Sequence, residues 1–205
     1  RVGFAYSGAQ SKMRPVLAQA NLVNMSAEIN PPTIYQTDKN RYSPTNMMLD
    51  ASALLTKTIE VEGKKIDTVR SVGWQFGKVA EGAKKVLGVS FKWPASRYSA
   101  TWSTSEKRWL LSYDGKPNLD SDGRQLGGAN LVIQKVAITD SIYRDKVGGV
   151  TPFSQTVGTG KAYVLRDGQR FVTTWNRPFA DSGTTFTFVD GTVMNFDPGQ
   201  IWIAL

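Results

Sequence analysis

The stretch Lys161-Ala162-Tyr163-Val164-Leu165-Arg166-Asp167-Gly168-Gln169-Arg170-Phe171-Val172-Thr173-Thr174-Trp175 decides the fold. Two runs rich in β-branched and aromatic residues flank an Asp-Gly pair. Both residues of that pair tolerate φ > 0, as a type I′ hairpin turn requires. The stretch therefore predicts two antiparallel strands joined by a two-residue loop.

The same texture extends outward from about Lys85 to the end of the chain. Short β-branched and aromatic runs alternate with turn dipeptides, the pattern of an all-β meander. Candidate strands are Val86–Trp93, Arg97–Ser103, Arg108–Tyr113, Asn130–Ile138, Lys161–Arg166, Gln169–Trp175, Thr184–Val189, Thr192–Phe196 and Ile201–Ala204. Further Asp-Gly turns stand at Asp114-Gly115, Asp122-Gly123 and Asp190-Gly191. The last is awkward. A two-residue loop there pairs Phe188 with Val193 and Thr187 with Met194, so the inward faces disagree; a longer loop or a bulge restores the register.

The first 84 residues read as mixed α and β. Met13, Val16, Leu17, Ala20 and Val23 recur at helical spacing, which predicts a helix over Ser11–Asn24 with Pro15 in its first turn. A second helix is expected after Ser43-Pro44-Thr45, with Met47, Ala51, Leu54 and Leu55 on one face. Glu62-Gly63-Lys64-Lys65 reads as a turn, and Val69–Lys78, containing Trp74, as irregular. The expected fold class is α+β: a mixed α/β region over residues 1–84, incomplete as it stands, then a β-rich antiparallel sandwich- or barrel-like domain over residues 85–205. Arg1 leads directly into the apolar Val2-Gly3-Phe4-Ala5-Tyr6, which suggests a piece of a longer precursor whose upstream part completes this region.

Composition excludes several chemistries. The 205 residues contain no Cys and no His, so nothing here needs a thiol, an imidazole or a Cys/His metal site. No apolar run approaches the roughly 18 residues of a membrane span. The net charge of +8 invites a polyanion, but it is spread along the chain. Residues 1–90 carry 12 basic against 7 acidic side chains, and residues 91–205 carry 13 against 10. A nucleic-acid binder concentrates charge on a stripe, and none is visible, so no nucleic-acid partner is expected. Attraction to an anionic polymer or surface through such dispersed charge is weak and screened by salt.

Asn118-Leu119-Asp120-Ser121-Asp122-Gly123 resembles the first half of a calcium loop, but Ala129 stands where the closing Glu belongs, and a polar turn is the better reading. Gly158-Thr159-Gly160-Lys161 has neither the first Gly nor the Ser/Thr of a phosphate loop, since Gln155 and Ala162 occupy those positions. No metal or cofactor is expected. Carboxylate catalysis without His or Cys remains open, yet spacing positions no acid/base pair and no catalytic residue can be named. The aromatics carry more signal. Trp93, Tyr98, Trp102, Trp109 and Tyr113 fall close together, with Tyr98 and Trp102 on one strand face and Trp109, Leu111 and Tyr113 on another. They form either a platform for sugar rings or a core, and the burial tendency of aromatics favours a core.

Tyr6-Ser7-Gly8, Tyr35, Arg41-Tyr42-Ser43-Pro44-Thr45-Asn46, Tyr98, Trp102, Asp114-Gly115-Lys116-Pro117-Asn118-Leu119-Asp120, Asn130-Leu131-Val132-Ile133-Gln134, Gly158-Thr159-Gly160-Lys161, Asp167-Gly168, Thr174-Trp175 and Pro198-Gly199-Gln200-Ile201-Trp202 together resemble the YerB-like family of secreted bacterial lipoproteins. The resemblance implies an extracytoplasmic protein of the bacterial cell envelope, lipid-anchored through sequence upstream. Members of that family carry His where this chain has Thr45 and Asn118, so a histidine-dependent activity, were the family to have one, is not expected here. The leading expectation is binding or scaffolding, with an anionic or glycan wall polymer as partner. A carboxylate-dependent extracytoplasmic hydrolase is the alternative. The binding candidates are Arg41, Asn46, Arg97, Asp114, Asn118, Asp120, Asn130, Trp102 and Trp109.

Overall fold

The structure, a computed structural model, describes residues 1–43, 45–68, 71–79, 83–93, 96–145 and 148–205. Pro44, in the expected start of the second helix, and Val69, at the head of the irregular stretch, lie outside the described residues. The chain is mostly β, with two α-helices of six residues each among the described residues. It divides into two compact units, Arg1–Arg70 with Tyr143–Gly149, and Ser71–Ile142 with Val150–Leu205.

In the first unit, β1 (Val2–Phe4) runs parallel to β2 (Leu22–Asn24). Between them lie a 3-10 turn over Ser11–Met13 and the helix α1 (Arg14–Gln19), with Pro15 in its first turn. The expected helix over Ser11–Asn24 is therefore cut short. Ala20 turns extended at ψ 145°, and Val23 is buried from a strand rather than from a helix face. β3 (Tyr35–Thr37) and β4 (Met47–Leu49) form an antiparallel pair, so Met47 also belongs to a strand. Asp50 then caps α2 (Ala51–Thr56), its Oδ1 accepting from the Ala53 N–H at 2.9 Å. This satisfies one of the free amides of the first turn. Val23, Met25, Ile34, Tyr35 and Leu54 make a small core. Burial there pushes the Tyr35 hydroxyl pKa up.

A π-helical turn, Lys57–Val61, follows α2 and ends at Glu62. The Glu62 carboxylate accepts from both Lys57 and Lys64, the latter at 2.7 Å, and these bonds lower its pKa from 4.5 to about 2. The folded pKa is depressed, so the contribution of this pairing is present above the unfolded value and fades as pH falls from 4.5 toward 2. A carboxyl-carbon NMR titration should give Glu62 a midpoint near 2, returning toward 4.5 when Lys57 and Lys64 are both replaced by Gln.

The second unit opens with β5 (Lys84–Lys85), β6 (Gly88–Trp93), β7 (Ser96–Ser103), β8 (Arg108–Tyr113), β9 (Lys116–Pro117) and β10 (Gly127–Gly128). It continues with β11 (Asn130–Gln134), β12 (Ile138–Arg144, its last two residues counted with the first unit), β13 (Val150–Ser154), β14 (Gly158–Arg166), β15 (Gln169–Arg177), β16 (Thr185–Thr187) and β17 (Ile201–Ala204). One sheet has the order β10-β8-β7-β6, with β9 on β8. The other has the order β16-β15-β14-β11-β17, with β5 on β15. Neither closes into a barrel. β17 lies parallel to β11, so the second sheet is mixed rather than purely antiparallel.

Alternation along the strands builds two apolar layers. Leu131 and Leu165 face one way and pack with Ala100, Trp109 and Leu111 of the first sheet. Val132, Ala162, Val164, Phe171 and Trp175 face the other way, where Phe186, Met194, Phe196 and Trp74 cover them. The β14–β15 hairpin has the expected two-residue loop: Arg166 pairs with Gln169, and Asp167 and Gly168 sit at φ 52° and 68°. At Asp190-Gly191 the loop is one residue longer. Thr187 pairs with Val193 and the Met194 N–H reaches the Phe186 carbonyl at 2.9 Å. That shift puts Phe186 and Met194 on the same buried face. The expected strand Thr192–Phe196 is thus a loop held by single bridges, and β12–β13 is a separate hairpin.

Candidate functional site

Strand β7 sets the site. Tyr98, Ala100 and Trp102 share one face, and the register places Tyr98 opposite Phe91 and Tyr113, Ala100 opposite Leu111, and Trp102 opposite Trp109. The middle of this face is core, with Trp109 fully buried. Toward the β6–β7 turn the face opens. Phe91 stacks on Tyr98 with centroids 5.9 Å apart and an interplanar angle of 4°. Trp93 meets Tyr98 edge-on at 5.1 Å, and Tyr113 does so at 4.9 Å. Both are favoured aromatic geometries.

Phe91, Trp93 and Tyr98, but not Tyr113, line a cleft of about 370 Å³ between the sheets, walled further by Trp202, Ile138 and Pro152, with Leu111 and Leu131 at its floor. Its described lining contains no carboxylate and no cationic side chain. Trp93 is oriented by its own polar edge, Nε1 donating to the Leu205 carbonyl at 3.0 Å.

The residues singled out from the sequence fall in several places. Arg41 and Asn46 belong to the first unit, where Arg41 pairs with Asp38 at 3.2 Å and the Asn46 carbonyl accepts the Asp38 N–H. The other seven belong to the second unit. The Asp114 carboxylate accepts the Arg97 N–H at 2.8 Å, tying the Asp114-Gly115 turn to β7 beside Tyr98. The Arg97 side chain points to the sheet face opposite Tyr98. The Asn118 backbone bonds Leu111 and Leu126. Asp120 Oδ1 accepts the N–H groups of Asp122 and Arg124, an Asx-type turn. Asn130 is buried and clasps Asp197, Nδ2 donating to its carbonyl at 2.8 Å and Oδ1 accepting its N–H at 2.9 Å. Trp102 is half-buried over the β14–β15 turn, where a Cβ on Gly168 would stand 2.9 Å from it. Asn130 and Trp109 are thus parts of the framework, not of a binding surface.

Two further clefts are differently furnished. One of about 370 Å³ includes Glu106, Arg108, Asp120 and Arg124; there Glu106 is bound to Arg108, and Asp120 to backbone amides. The other, of about 890 Å³ in the first unit, has Arg14, Lys64 and Lys65 with Phe4 and Tyr6. Arg1 lines it too; Arg14 is paired to Glu28 at 2.9 Å and Lys64 to Glu62, which offsets part of its charge. Among the described residues no group of three or more carboxylates could hold a metal ion, and no helix is long and apolar enough to cross a membrane.

Residues 89–203, most of the second unit, match the family described as "Protein of unknown function (DUF3048) C-terminal domain". The chain belongs to this family. Its fold is similar to that of the YerB protein from Bacillus subtilis, seen in a crystal structure, with a TM-score of 0.71 at 16% sequence identity. The likeness covers 98% of this chain and 65% of the YerB chain, so this chain spans about two-thirds of that length. No curated protein matches. Family and fold both bear out the YerB-like resemblance drawn from the sequence.

The sequence reading missed the hairpin that makes the far wall of the cleft. The expected strand Asn130–Ile138 stops at Gln134, and Ile138 instead opens β12, which pairs with the β13 strand that carries Pro152 and that no strand expectation covered. It also missed Arg166, an arginine at an inward position between the apolar Val164 and the turn. A charge in phase with a buried strand face was the available signal.

Proposed function

We propose that this chain is a non-catalytic binding module of the bacterial cell envelope, and that its aromatic cleft holds saccharide rings of an envelope polymer. The observation that carries the reading is the half-open cluster of Phe91, Trp93 and Tyr98 on the wall of an apolar cleft. Sugar rings present C–H faces that such rings cover well, and a cleft without carboxylates suits binding rather than hydrolysis. An extracytoplasmic address and an upstream lipid anchor belong to the same proposal and rest on the family resemblance. The net charge of +8 adds a long-range attraction to an anionic polymer that does not need a dedicated site.

The two contributions separate by salt. At about 0.5 M salt the Debye length falls to roughly 4 Å, and attraction from dispersed charge is largely screened. Sedimentation with purified wall glycan should retain a salt-resistant fraction of binding under that condition. Trp93→Ala should weaken this fraction roughly tenfold, the loss of about 1.4 kcal/mol from one ring at a binding centre. Tyr98→Ala should do likewise, with melting curves confirming that both variants are folded. Salt-resistant binding unchanged in both would overturn the cleft as the site.

A further inference from the structure

Two arginines flank the Asp167-Gly168 turn and have opposite fates. Arg166 is buried and makes four hydrogen bonds, to Asp167, Gly77, Asn195 and Asp197. Arg170 is half-buried, its Nε is shielded from solvent, and its guanidinium makes no hydrogen bond or ion pair among the described residues. Its Cζ lies over the Tyr163 ring, 5.3 Å from the centroid. The contact is of the cation–π kind, and it uses none of the five N–H donors of the guanidinium.

The neighbours sharpen the imbalance. Lys84 of β5 pairs directly with Arg170, and directly opposed like charges repel across a ladder. Strand alternation puts Thr159, Lys161, Tyr163 and Leu165 of β14 on this face, with Arg170, Val172, Thr174 and Asn176 of β15. None of them is acidic. Among the described residues of this face, two opposed cations, one half-buried and set over a ring, have no acidic side chain beside them.

We propose that Arg170 and Lys84 form a binding site for a phosphate oxyanion. The fork of Arg170 supplies bidentate donors and Lys84 a second charge, a combination that fits the several oxygens of a phosphate group. The site is independent of the aromatic cleft. Loss of phosphate binding with retained glycan binding counts against this site alone, and the reverse counts against the cleft alone.

The test follows the Arg170 side-chain Nε–H resonance while inorganic phosphate replaces chloride at constant ionic strength. A saturable shift of that resonance is expected. Arg170→Lys keeps the charge and loses the fork, and should weaken phosphate binding at least about fivefold. Lys84→Gln, at an exposed position, should weaken it comparably. Lys92→Gln is the control: Lys92 opposes Arg97 in a similar like-charge pair, but among the described residues no ring lies against either cation, and affinity should be unchanged. A phosphodiester polymer and vesicles of phosphatidylglycerol then compete against phosphate; whichever displaces it from Arg170 is the source of the group. An Arg170 resonance without a saturable response would overturn the site. So would an Arg170→Lys variant that binds like the parent, or a Lys92→Gln variant that loses as much as Lys84→Gln.

Discussion

Replacing Trp109 by alanine should destabilise the second unit by about 3–5 kcal/mol, the cost typical of emptying a large buried aromatic site. Trp109 has no exposed surface, and it packs between Trp102 across β7 and the glycine backbone of β10. The space cannot collapse cheaply. Gly127 and Gly128 approach so closely that a Cβ on Gly127 would stand 2.1 Å from the Trp109 carbonyl oxygen, which fixes the backbone on that side. For a chain of this size, the loss translates to a fall of roughly 10 °C in the melting midpoint. Trp109→Phe provides an internal comparison. The indole N–H of Trp109 has no hydrogen-bond partner among the described residues, so phenylalanine removes volume without breaking a polar contact. It should cost less than half the alanine loss. Urea unfolding followed by near-ultraviolet circular dichroism measures both. A Trp109→Ala variant as stable as the parent would mean that this side chain is not the centre of the inter-sheet core.

The legible parts of the fold were those in which a few adjacent residues fix the backbone. Asp167-Gly168 is such a case, because the φ > 0 requirement and the flanking apolar runs together admit one loop length. The conflict of faces at Asp190-Gly191 was legible too, and the structure resolves it with one extra loop residue that brings Phe186 and Met194 into register. Helical spacing misled over Ser11–Asn24 because Val16, Leu17 and Val23 serve two elements, and a period cannot reveal that Ala20 breaks it. The pairing of β17 with β11 joins residues about seventy apart in parallel, and no local pattern encodes it. At the site, one face of aromatics followed from alternation. Which rings stay open did not, because that depends on where the second sheet and the β12–β13 hairpin stop covering the first.

The second large effect is expected at Arg166, whose guanidinium joins three segments of the second unit. It donates to the Gly77 carbonyl at 2.8 Å, to the Asn195 carbonyl at 2.9 Å, and to the carboxylates of Asp167 and Asp197 at 2.9 and 3.1 Å. Asp197 is held from its other side by Asn130 through two backbone bonds, so one aspartate links β11 and β14 to the loop before β17. Arg166→Leu removes the cation and leaves the Gly77 and Asn195 carbonyls without this donor, while the Asp167 and Asp197 carboxylates, 44% and 31% exposed, keep access to water. The cost is therefore below that of a buried unpaired charge, about 1.5–3 kcal/mol for hydrogen bonds lost by a charged group. Arg166→Lys should recover little, since one ammonium cannot span acceptors that the planar fork reaches in several directions. Asn130→Ala should be costly for the same reason. The two losses should not add: both variants free Asp197, and the double variant should be more stable than the sum predicts by roughly 1 kcal/mol or more. Strict additivity in a double-mutant cycle by urea unfolding would show that Arg166 and Asn130 act separately, and that Asp197 does not couple them.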